Sequence, residues 1–180
     1  MKLNSPNGSQ KLFVSENETK KVYLQDFSEK SGEFLLEVFL EGENAQTEIV
    51  GRIVTTKKHH KKWVIKIFFQ NKNQTGVLDL RGVGEDESYL EIDGGGVLTA
   101  KSKHATAKIS EKIILFDNAQ AKAVPVLRVE TDLVKTALHS ASVSPIDTEK
   151  ILFCQSRGMS NFETIKMLKK GFFGDDSKKQ

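Results

Sequence analysis

Lys62-Trp-Val-Ile-Lys-Ile-Phe68 is the stretch of sequence that decides the fold. Side chains alternate between the two faces of an extended strand, so Trp63, Ile65 and Ile67 would share one wholly apolar face. The intervening residues, which include Lys66, would form a mixed face. This alternation predicts a strand that buries one face and leaves the other partly in solvent.

Short runs of the same character occupy the sequence on both sides of this strand. They are rich in β-branched and aromatic residues, and polar clusters separate them. The runs are residues 12–14, 22–24, 34–40, 49–54, 77–80 and 89–92. No capped stretch with helical periodicity interrupts them before residue 144, so the first three quarters of the chain are predicted to be all β. A sandwich, a barrel and a β-helix remain open.

The β-helix is favoured by the polar corners between the apolar runs. In such a solenoid, each coil contributes short strands, and the coils stack into parallel sheets around a narrow apolar interior. Corner sequences are present at residues 42–44, 71–76, 82–84, 94–96 and 117–118. The chain has no strict hexapeptide or nonapeptide period, so periodicity alone does not establish this fold.

A first helix is predicted after the β-rich region. Ser144 or Asp147 is suited to be its N-cap, because either side chain can accept a hydrogen bond from the first helical turn. Apolar residues follow at 151–154, and Gly158 is expected to end the helix after Arg157. The pattern predicts a helix of about three turns.

A second helix is predicted directly after the first. Ser160 and Glu163 have the spacing of a capping box, and a basic turn with a glycine ends the pattern at residues 169–171. Its apolar residues at helical spacing are Phe162, Ile165 and Leu168. Phe172 and Phe173 follow, and two such large apolar side chains must be buried against something.

Composition limits the class of protein. The 180 residues are 38% apolar and 28% charged, and 27 basic against 24 acidic residues give a net charge of +3, which does not point to nucleic acid. A single cysteine, Cys154, forms neither an internal disulfide nor a cysteine-rich metal site and fits a reducing compartment. No apolar run approaches the roughly 20 residues of a membrane span. We therefore expect a cytoplasmic location and no membrane partner.

The basic run Lys57-Lys-His-His-Lys-Lys62, next to Trp63, has two interpretations. Basic residues beside an aromatic ring can bind phosphate or single-stranded nucleic acid. Alternatively, the run is a solvated turn or an edge strand whose charges resist aggregation. His59 and His60 would point to opposite faces of a strand and so would not chelate one metal ion. The second interpretation is the simpler one.

The remaining polar residues do not form a recognisable catalytic group. His104 and His139 could each bind a metal through an imidazole nitrogen, but a lone histidine on a strand is more often structural. Cys154 lies among apolar residues of a predicted helix, where a buried and inert thiol is expected. No Ser/His/Asp or Cys/His grouping and no carboxylate pair stands out, so the sequence predicts a protein that is not an enzyme.

Several short motifs occur together from residue 113 onward. They are Ile113-Ile-Leu-Phe-Asp-Asn-Ala119, Pro125-Val-Leu-Arg-Val129, Val134-Lys135, His139-Ser-Ala-Ser-Val143, Ile146-Asp147, Leu152-Phe153, Ser156-Arg-Gly158 and Gly171-Phe172. Their order and spacing resemble the SufB/SufD family, the scaffold subunits of the iron–sulfur cluster assembly complex. Residues 40–45 with Gly51, and residues 75–79, are similar to weaker landmarks of that family. Residues 1–30 match nothing in it.

The resemblance implies a right-handed parallel β-helix core followed by a short C-terminal helical segment. In the family, that segment docks the SufC ATPase, an ABC-type ATPase, and the β-helix core pairs a SufD with a SufB subunit. A nascent cluster is thought to form at their interface, between a cysteine of the SufB-type subunit and the histidine of a His-Gly-Ala-Thr motif. On this mapping, His139 is the metal ligand of a shared site.

The departures from the family pattern point to a short, SufD-like member. The position of the SufB acceptor cysteine falls near Asn118 or Ala119, which carry no thiol, so no cluster is expected to be stably bound by this chain alone. A transient cluster in a complex is implied instead. The segment between Pro125 and His139 is one residue longer than in the family. Unless a bulge absorbs this residue, His139 turns to the wrong face.

These observations predict a flexible start at residues 1–10, a β-helix core at 11–143, a two-helix docking segment at 144–173 and a disordered tail at 174–180. The expected partners are a SufC-type ABC ATPase and a SufB-type or second SufD-like subunit. The residues expected to bind a partner are Leu152, Arg157, Gly158, Phe162, Ile165 and Phe172. The expected function is a noncatalytic scaffold, and the alternative is a β-rich module that binds polyanion or nucleic acid through residues 57–62.

Overall fold

A computed structural model describes residues 1–4 and 6–174 of the chain. The strands are β1 (Lys2–Asn4), β2 (Gly8–Val14), β3 (Thr19–Asp26), β4 (Gly32–Leu40), β5 (Gln46–Thr55), β6 (His60–Phe69), β7 (Thr75–Gly84), β8 (Tyr89–Leu98), β9 (Thr106–Leu115), β10 (Gln120–Ala123), β11 (Val126–Val129) and β12 (Thr136–Pro145). Helices α1 (Thr148–Gln155) and α2 (Asn161–Phe173) follow. The predicted tail lies outside the described residues, apart from Gly174.

The strands form two parallel sheets, and the chain passes from one sheet to the other at each corner. Sheet A has the order β1-β3-β5-β7-β9-β12, and sheet B has the order β10-β8-β6-β4-β2, with β11 also paired to β8. Each coil therefore supplies one strand to each sheet, and successive coils stack in parallel. The predicted parallel β-helix with a short C-terminal helical segment is confirmed.

The true repeat is longer than the hexapeptide and nonapeptide periods of other solenoids. Phe34, Trp63 and Ile92 stand in register in sheet B, so neighbouring coils are 29 residues apart there. In sheet A, the spacing between paired residues is 29 from Gln46 to Thr75 and 31 from Thr75 to Thr106. A coil of this length holds two ten-residue strands and two corners, and for that reason a six- or nine-residue period is absent.

The corners share one backbone conformation. Left-handed φ angles between 54° and 59° occur at Asn17, Asn44, Lys57, Asn73, Asp86, His104 and Asp117. Asn and Asp tolerate this conformation better than other residues with a side chain. Side chains of stacked corners also bond to one another, as Asn44 Nδ2 donates to Asn17 Oδ1 at 2.9 Å. His104 is thus a corner residue, whose amide donates to the Leu133 carbonyl at 2.6 Å.

The interior is filled by the inward side chains of both sheets. Trp63, Ile65 and Ile67 are buried while the residues between them are half exposed, so the predicted alternation of β6 is confirmed. Trp63 occupies space that a side chain at Gly51 would fill, since a Cβ there would lie 2.9 Å from the indole ring. A residue larger than glycine at position 51 is therefore incompatible with this packing.

The basic run is a turn only in its first residues, before β6 begins at His60, and it is not part of an edge strand. Strand β6 lies between β4 and β8, and Lys61 faces the interior with a residual exposure of 2%. Its ammonium group donates to Asp26 Oδ1 at 2.9 Å and to the carbonyls of Ser28 and Val54 at 2.7 and 2.8 Å. All three donors of Lys61 are satisfied, which allows this charge to be buried.

The first helix is shorter than predicted. Asp147 is its N-cap and accepts from Glu149 N, but α1 ends at Gln155 after eight residues, with Ser156 as C-cap. Gly158 adopts a left-handed φ of 87° in the turn between the helices. The predicted extension to Arg157 is therefore wrong, because the amides of Arg157 and Gly158 donate to carbonyls three residues earlier and form a turn after the helix.

The second helix carries the predicted capping box and extends further than predicted. The Ser160 hydroxyl accepts from Glu163 N, and the Glu163 carboxylate accepts from Ser160 N. The helix continues through Gly171 to Phe173, and Gly174 is the C-cap. Residues 1–10, expected to be a flexible start, instead contribute β1 and the first part of β2 to the two sheets.

Candidate functional site

Helices α1 and α2 present large apolar side chains to solvent. Leu152 is 63% exposed and Phe162 is 73% exposed, although both are apolar residues of capped helices. Phe153, next to Leu152, is also exposed, and the Arg157 guanidinium lies over its ring at 4.3 Å from the centroid. Large apolar side chains exposed on ordered helices make α1 and α2 a candidate interaction surface.

A shallow groove runs between the two helices. It has a volume of about 350 Å³, and its lining residues are Asp147, Glu149, Lys150, Phe153, Cys154 and Leu168. Cys154 is a free, buried thiol, as its position in the sequence predicted. The groove thus combines charged residues of the first turn of α1 with an apolar floor.

The other predicted partner-binding residues are placed differently. Gly158 is exposed in the turn between the helices, whereas Ile165 and Phe172 are half buried. The Phe172 carbonyl accepts from Arg81 at 2.6 Å, and the Phe173 ring lies 5.8 Å from that of Phe27. The Phe173 ring thus packs against the chain's own solenoid, and the Phe172 ring lies 5.7 Å from that of Phe173.

Sheet A holds the last turn of α2 through an arginine pair. Arg52 and Arg81 are neighbours in register on β5 and β7, and both bond to Asp79, at 2.9 Å and 3.4 Å. Arg52 Nε also donates to the Phe173 carbonyl at 3.0 Å. Sequence reasoning missed this site, because a charged residue at an outward position of a strand is normally interpreted as a solvated side chain.

Strand β12 forms an open edge at the end of the solenoid. It pairs with β9 along its whole length, and most of its side chains are exposed, including Leu138 at 58%. Thr136 N and Ile146 N donate to carbonyls of residues 105 and 115. Since the amides of a parallel strand alternate between its two neighbours, the amides of odd-numbered residues point to the free edge.

His139 lies on the interior side of this edge strand. It pairs in register with Ile109, a buried residue of β9, so the two side chains lie on the same face of sheet A. The side chain is exposed, because β12 is the last strand of the sheet. Asn118 and Ala119 follow the C-terminal end of β9. His139 pairs with Ile109, and the six residues from Ile109 to Leu115, at 3.3 Å each, separate it from that end by about 20 Å along the strand.

A buried carboxylate stands near His139 on the same face. Glu111 pairs with Ala141 and is completely buried. Burial raises the pKa of Glu111 to about 7, although the amide of Gly94 donates to its carboxylate. A Cβ at position 94 would lie 2.4 Å from Glu111 Oε1, so only glycine leaves room for this contact.

An interruption of sheet B explains the position of Glu111. Strand β10 ends at Ala123 and β11 starts at Val126, so the ladder is broken opposite Gly94. The Gly94 amide therefore donates to Glu111 across the interior. Within residues 1–4 and 6–174, no group donates a hydrogen bond to the buried Glu111 Oε2. Alternation with the inward residues of β9 could have identified Glu111, but the sequence reasoning did not use it.

The basic run is compensated by acidic residues. Lys57 pairs with Glu29, Lys58 with Glu87 at 3.2 Å, Lys61 with Asp26 at 2.9 Å and Lys62 with Glu91 at 3.2 Å. A binding surface for polyanions needs uncompensated positive charge. The arrangement of this run therefore gives no support to a nucleic-acid interface.

Metal-ligating side chains are dispersed in the described part of the chain. Within residues 1–4 and 6–174, no group of three or more His, Cys, Asp or Glu side chains could hold a metal ion. No helix in the same residues is long and apolar enough to cross a membrane.

Comparisons with known proteins identify relatives. Residues 9–172 match the family model described as "SUF system FeS cluster assembly, SufBD core domain". An iron–sulfur cluster assembly SufBD family protein of Mycobacterium leprae is 30% identical over 70 residues, which is 39% of this chain and 18% of that protein. A SufBD family protein of Synechocystis is 24% identical over 137 residues, 76% of this chain and 28% of that protein.

A named SufD is also among the relatives. The iron–sulfur cluster assembly protein SufD of Bacillus subtilis is 26% identical over 130 residues, which is 72% of this chain and 29% of that protein. The chain thus spans less than a third of the length of these curated relatives.

Proposed function

Because the chain belongs to the SufBD core-domain family of the SUF system, we propose that it is a noncatalytic scaffold subunit in iron–sulfur cluster assembly. It docks a SufC-type ABC ATPase through α1 and α2, and it pairs with a SufB-type or second SufD-like subunit through the end of its solenoid. A cytoplasmic location is part of this proposal, as a single free thiol fits a reducing compartment.

The exposed apolar surface of the two helices carries the proposal. Phe162 and Leu152 stand on helices with well-formed caps, so their exposure is a property of ordered structure. Interface centres are typically built from such large side chains, with arginine among the enriched residues, and Arg157 lies beside them on Phe153. The groove next to them, with its apolar floor, suits an apolar anchor from the ATPase.

The open edge of β12 supports pairing with a second subunit. An unpaired strand with exposed apolar residues is a template for another strand, and natural proteins usually protect it. Leu138 and Val143 are exposed on β12, and Val126 and Val129 are exposed on neighbouring β11. A second solenoid that adds a strand there would cover these residues.

The cluster is cargo in this scheme, held between subunits. His139 offers one imidazole at the open end of the solenoid, and a neutral imidazole is a suitable ligand for iron. The position near Asn118 and Ala119 carries no thiol, so the thiolate ligands come from the partner. Substitution His139→Ala is expected to reduce cluster formation on the assembled complex while leaving ATPase binding unchanged.

Co-purification with a SufC-type ATPase tests the docking role. Phe162→Asp and Leu152→Asp place a charge on the exposed helical surface without disturbing buried packing, and each should weaken ATPase binding by tenfold or more, about 1.4 kcal/mol. Phe13→Asp is the matched control, because Phe13 is also exposed, at 48%, but lies on sheet B. Equal binding by all three variants and the wild type would refute docking through these helices.

A further inference from the structure

Three cationic residues form one line on the outer face of sheet A. Arg52, Arg81 and Lys112 are neighbours in register on β5, β7 and β9. Arg52 is only 4% exposed although it points away from the interior, where its neighbours Gly51 and Ile53 face. Like charges side by side in a sheet repel, so a compensating partner is needed. Asp79 supplies one negative charge to the two arginines.

The C-terminal end of α2 supplies further compensation. The last carbonyls of a helix have no intrahelical donor, and the helix dipole makes this end negative. Arg52 Nε donates to the Phe173 carbonyl at 3.0 Å and Arg81 Nη1 to the Phe172 carbonyl at 2.6 Å. The two arginines therefore satisfy backbone groups at the end of α2 and neutralise its partial charge.

Two further contacts fix the same end of the helix. Lys169 Nζ lies 2.8 Å from Glu85 Oε1, and the Phe173 ring packs against Phe27 at 5.8 Å. The exposed residues of the docking surface, such as Phe162, lie at the other end of α2 or on α1. One end of the helix pair is thus held by the solenoid, and the other carries the exposed apolar side chains.

The two attachments of the helix pair lie on different coils. The polypeptide enters α1 from β12, the last strand of sheet A, whereas the arginines hold α2 to β5 and β7. From β12 to β5 there are three strand spacings, about 14 Å at 4.8 Å each. The helix pair therefore bridges the open end and the central coils of the solenoid.

We propose that Arg52 and Arg81 are positioning residues that couple the docking helices to the central coils. Movement of a partner bound to α1 and α2 then acts on β5 and β7 as well as on β12. This role rests on the proposed docking function, and it adds the route by which a movement of the ATPase reaches the middle of the solenoid.

Hydrogen exchange measured by mass spectrometry tests the anchor itself. Arg81→Met should raise the exchange rate of the amides of the last turn of α2 by about tenfold, since a hydrogen bond from a charged group is lost. Lys112→Met is the matched control, because it removes a positive charge from the same line next to Arg81. Arg81→Lys should restore part of the protection. Unchanged exchange in Arg81→Met would overturn the proposal.

Trp63 reports coupling to the central coils. It is the only tryptophan of the sequence, and it packs beside Gly51, the neighbour of Arg52. With 5-fluorotryptophan in this chain alone, ATP binding to the docked ATPase should shift the ¹⁹F signal of the wild type and of Lys112→Met. Arg81→Met should bind the ATPase within about threefold of wild type and lose this shift. A shift retained in Arg81→Met would overturn the coupling role.

The two proposals fail in different ways. If the wild-type chain does not bind the ATPase, the docking function is wrong and the coupling role falls with it, whatever the exchange rates are. If the ATPase binds normally but Arg81→Met changes neither exchange nor the ¹⁹F signal, only the coupling role is wrong.

Discussion

Glu111 is the residue whose environment departs most from that of an ordinary surface carboxylate. It faces the apolar interior and accepts from the Gly94 amide, and its Oε2 has no hydrogen-bond partner in the part of the chain that the structure describes. Burial raises the pKa of its carboxyl to about 7. In the unfolded chain this carboxyl would lose its proton at a lower pH. Glu111 therefore contributes a pH dependence to the free energy of unfolding.

Glu111→Gln should remove this pH dependence. Between the unfolded pKa near 4.5 and the folded pKa of about 7, the folded wild type binds more protons, so its stability falls as pH rises and then levels off. Between pH 5 and pH 8, the free energy of unfolding of the variant should rise relative to that of the wild type by on the order of 2 kcal/mol. Urea unfolding at both pH values measures this. Glu33→Gln, at an exposed carboxylate, should not differ from wild type, and parallel pH curves for Glu111→Gln would contradict the assignment.

Lys57 occupies a corner position that other residues fill better. Its φ is 59°. Asp86 and Asp117 stand at the equivalent positions of the corners that follow β7 and β9, on the same side of the solenoid. A left-handed conformation costs a residue with an ordinary side chain roughly 1 kcal/mol, and Asn tolerates it better. Lys57→Asn should therefore stabilise the protein by up to about 1 kcal/mol.

Thermal unfolding measures the effect of Lys57→Asn. Lys58→Asn, at the adjacent exposed position, is the control and should leave the midpoint unchanged. The pair between Lys57 and Glu29 is exposed, and its loss should matter little. A lower midpoint for Lys57→Asn than for wild type would show that the corner conformation is not strained.

At the scale of the element, β12 combines a strand that belongs to the sheet with an edge that is open. Even-numbered residues bond to β9, as the amides of Thr136 and Ile146 show. Pro145, which has no amide hydrogen, stands at an odd-numbered position where the free edge needs no donor. The two sets of amides can therefore be altered separately.

Ala141→Pro should block pairing with a second subunit and preserve the fold. It removes an amide that points to the free edge, so the ladder with β9 is kept. The variant should lose association with a SufB-type subunit while keeping a near wild-type unfolding midpoint, as measured by size-exclusion chromatography and circular dichroism. Ser142→Pro, which interrupts the ladder with β9, should lower the midpoint as well. Retained association of Ala141→Pro would exclude the β12 edge as the pairing surface.

On the scale of the whole molecule, the solenoid is a stack in which each coil contacts its neighbours. Central strands such as β6 are covered on both sides, whereas β12 pairs with β9 alone among the described strands. Stability in such stacks is the sum of coil and interface contributions. The middle of the chain should therefore be its most stable part, and the open end its least stable.

Two truncations of apolar side chains test this difference. Ile65→Ala in β6 should lower the free energy of unfolding by about 2–5 kcal/mol, because a fully buried side chain leaves a cavity between two neighbouring coils. Val143→Ala in β12 should cost less than about 1 kcal/mol, since Val143 is 40% exposed and has a neighbouring strand on one side. Urea unfolding measures both values. Similar losses would mean that the end of the solenoid is as well packed as its centre.

The sequence determined the inner and outer faces of the strands and the caps of the helices. The alternation at Trp63, Ile65 and Ile67 and the capping box of Ser160 with Glu163 depend on residues a few positions apart, and both predictions are confirmed. The family was also readable, because its motifs are local. The ends of the helices were less predictable. Helix α2 continues through Gly171 to Phe173, where Arg52 and Arg81 donate to its last carbonyls.

Only the tertiary structure decided which charged residues are buried and what they bind. From the sequence, Arg52 would be an exposed residue on the surface of β5. In the structure it is covered, because α2 returns to it 121 residues later. Glu111 accepts from Gly94 because sheet B is interrupted at Val124 and Pro125, on a different strand. Such contacts join parts of the chain that are distant in sequence. Local pattern therefore fixes which face a residue takes, whereas its partner is set by the stacking of the coils.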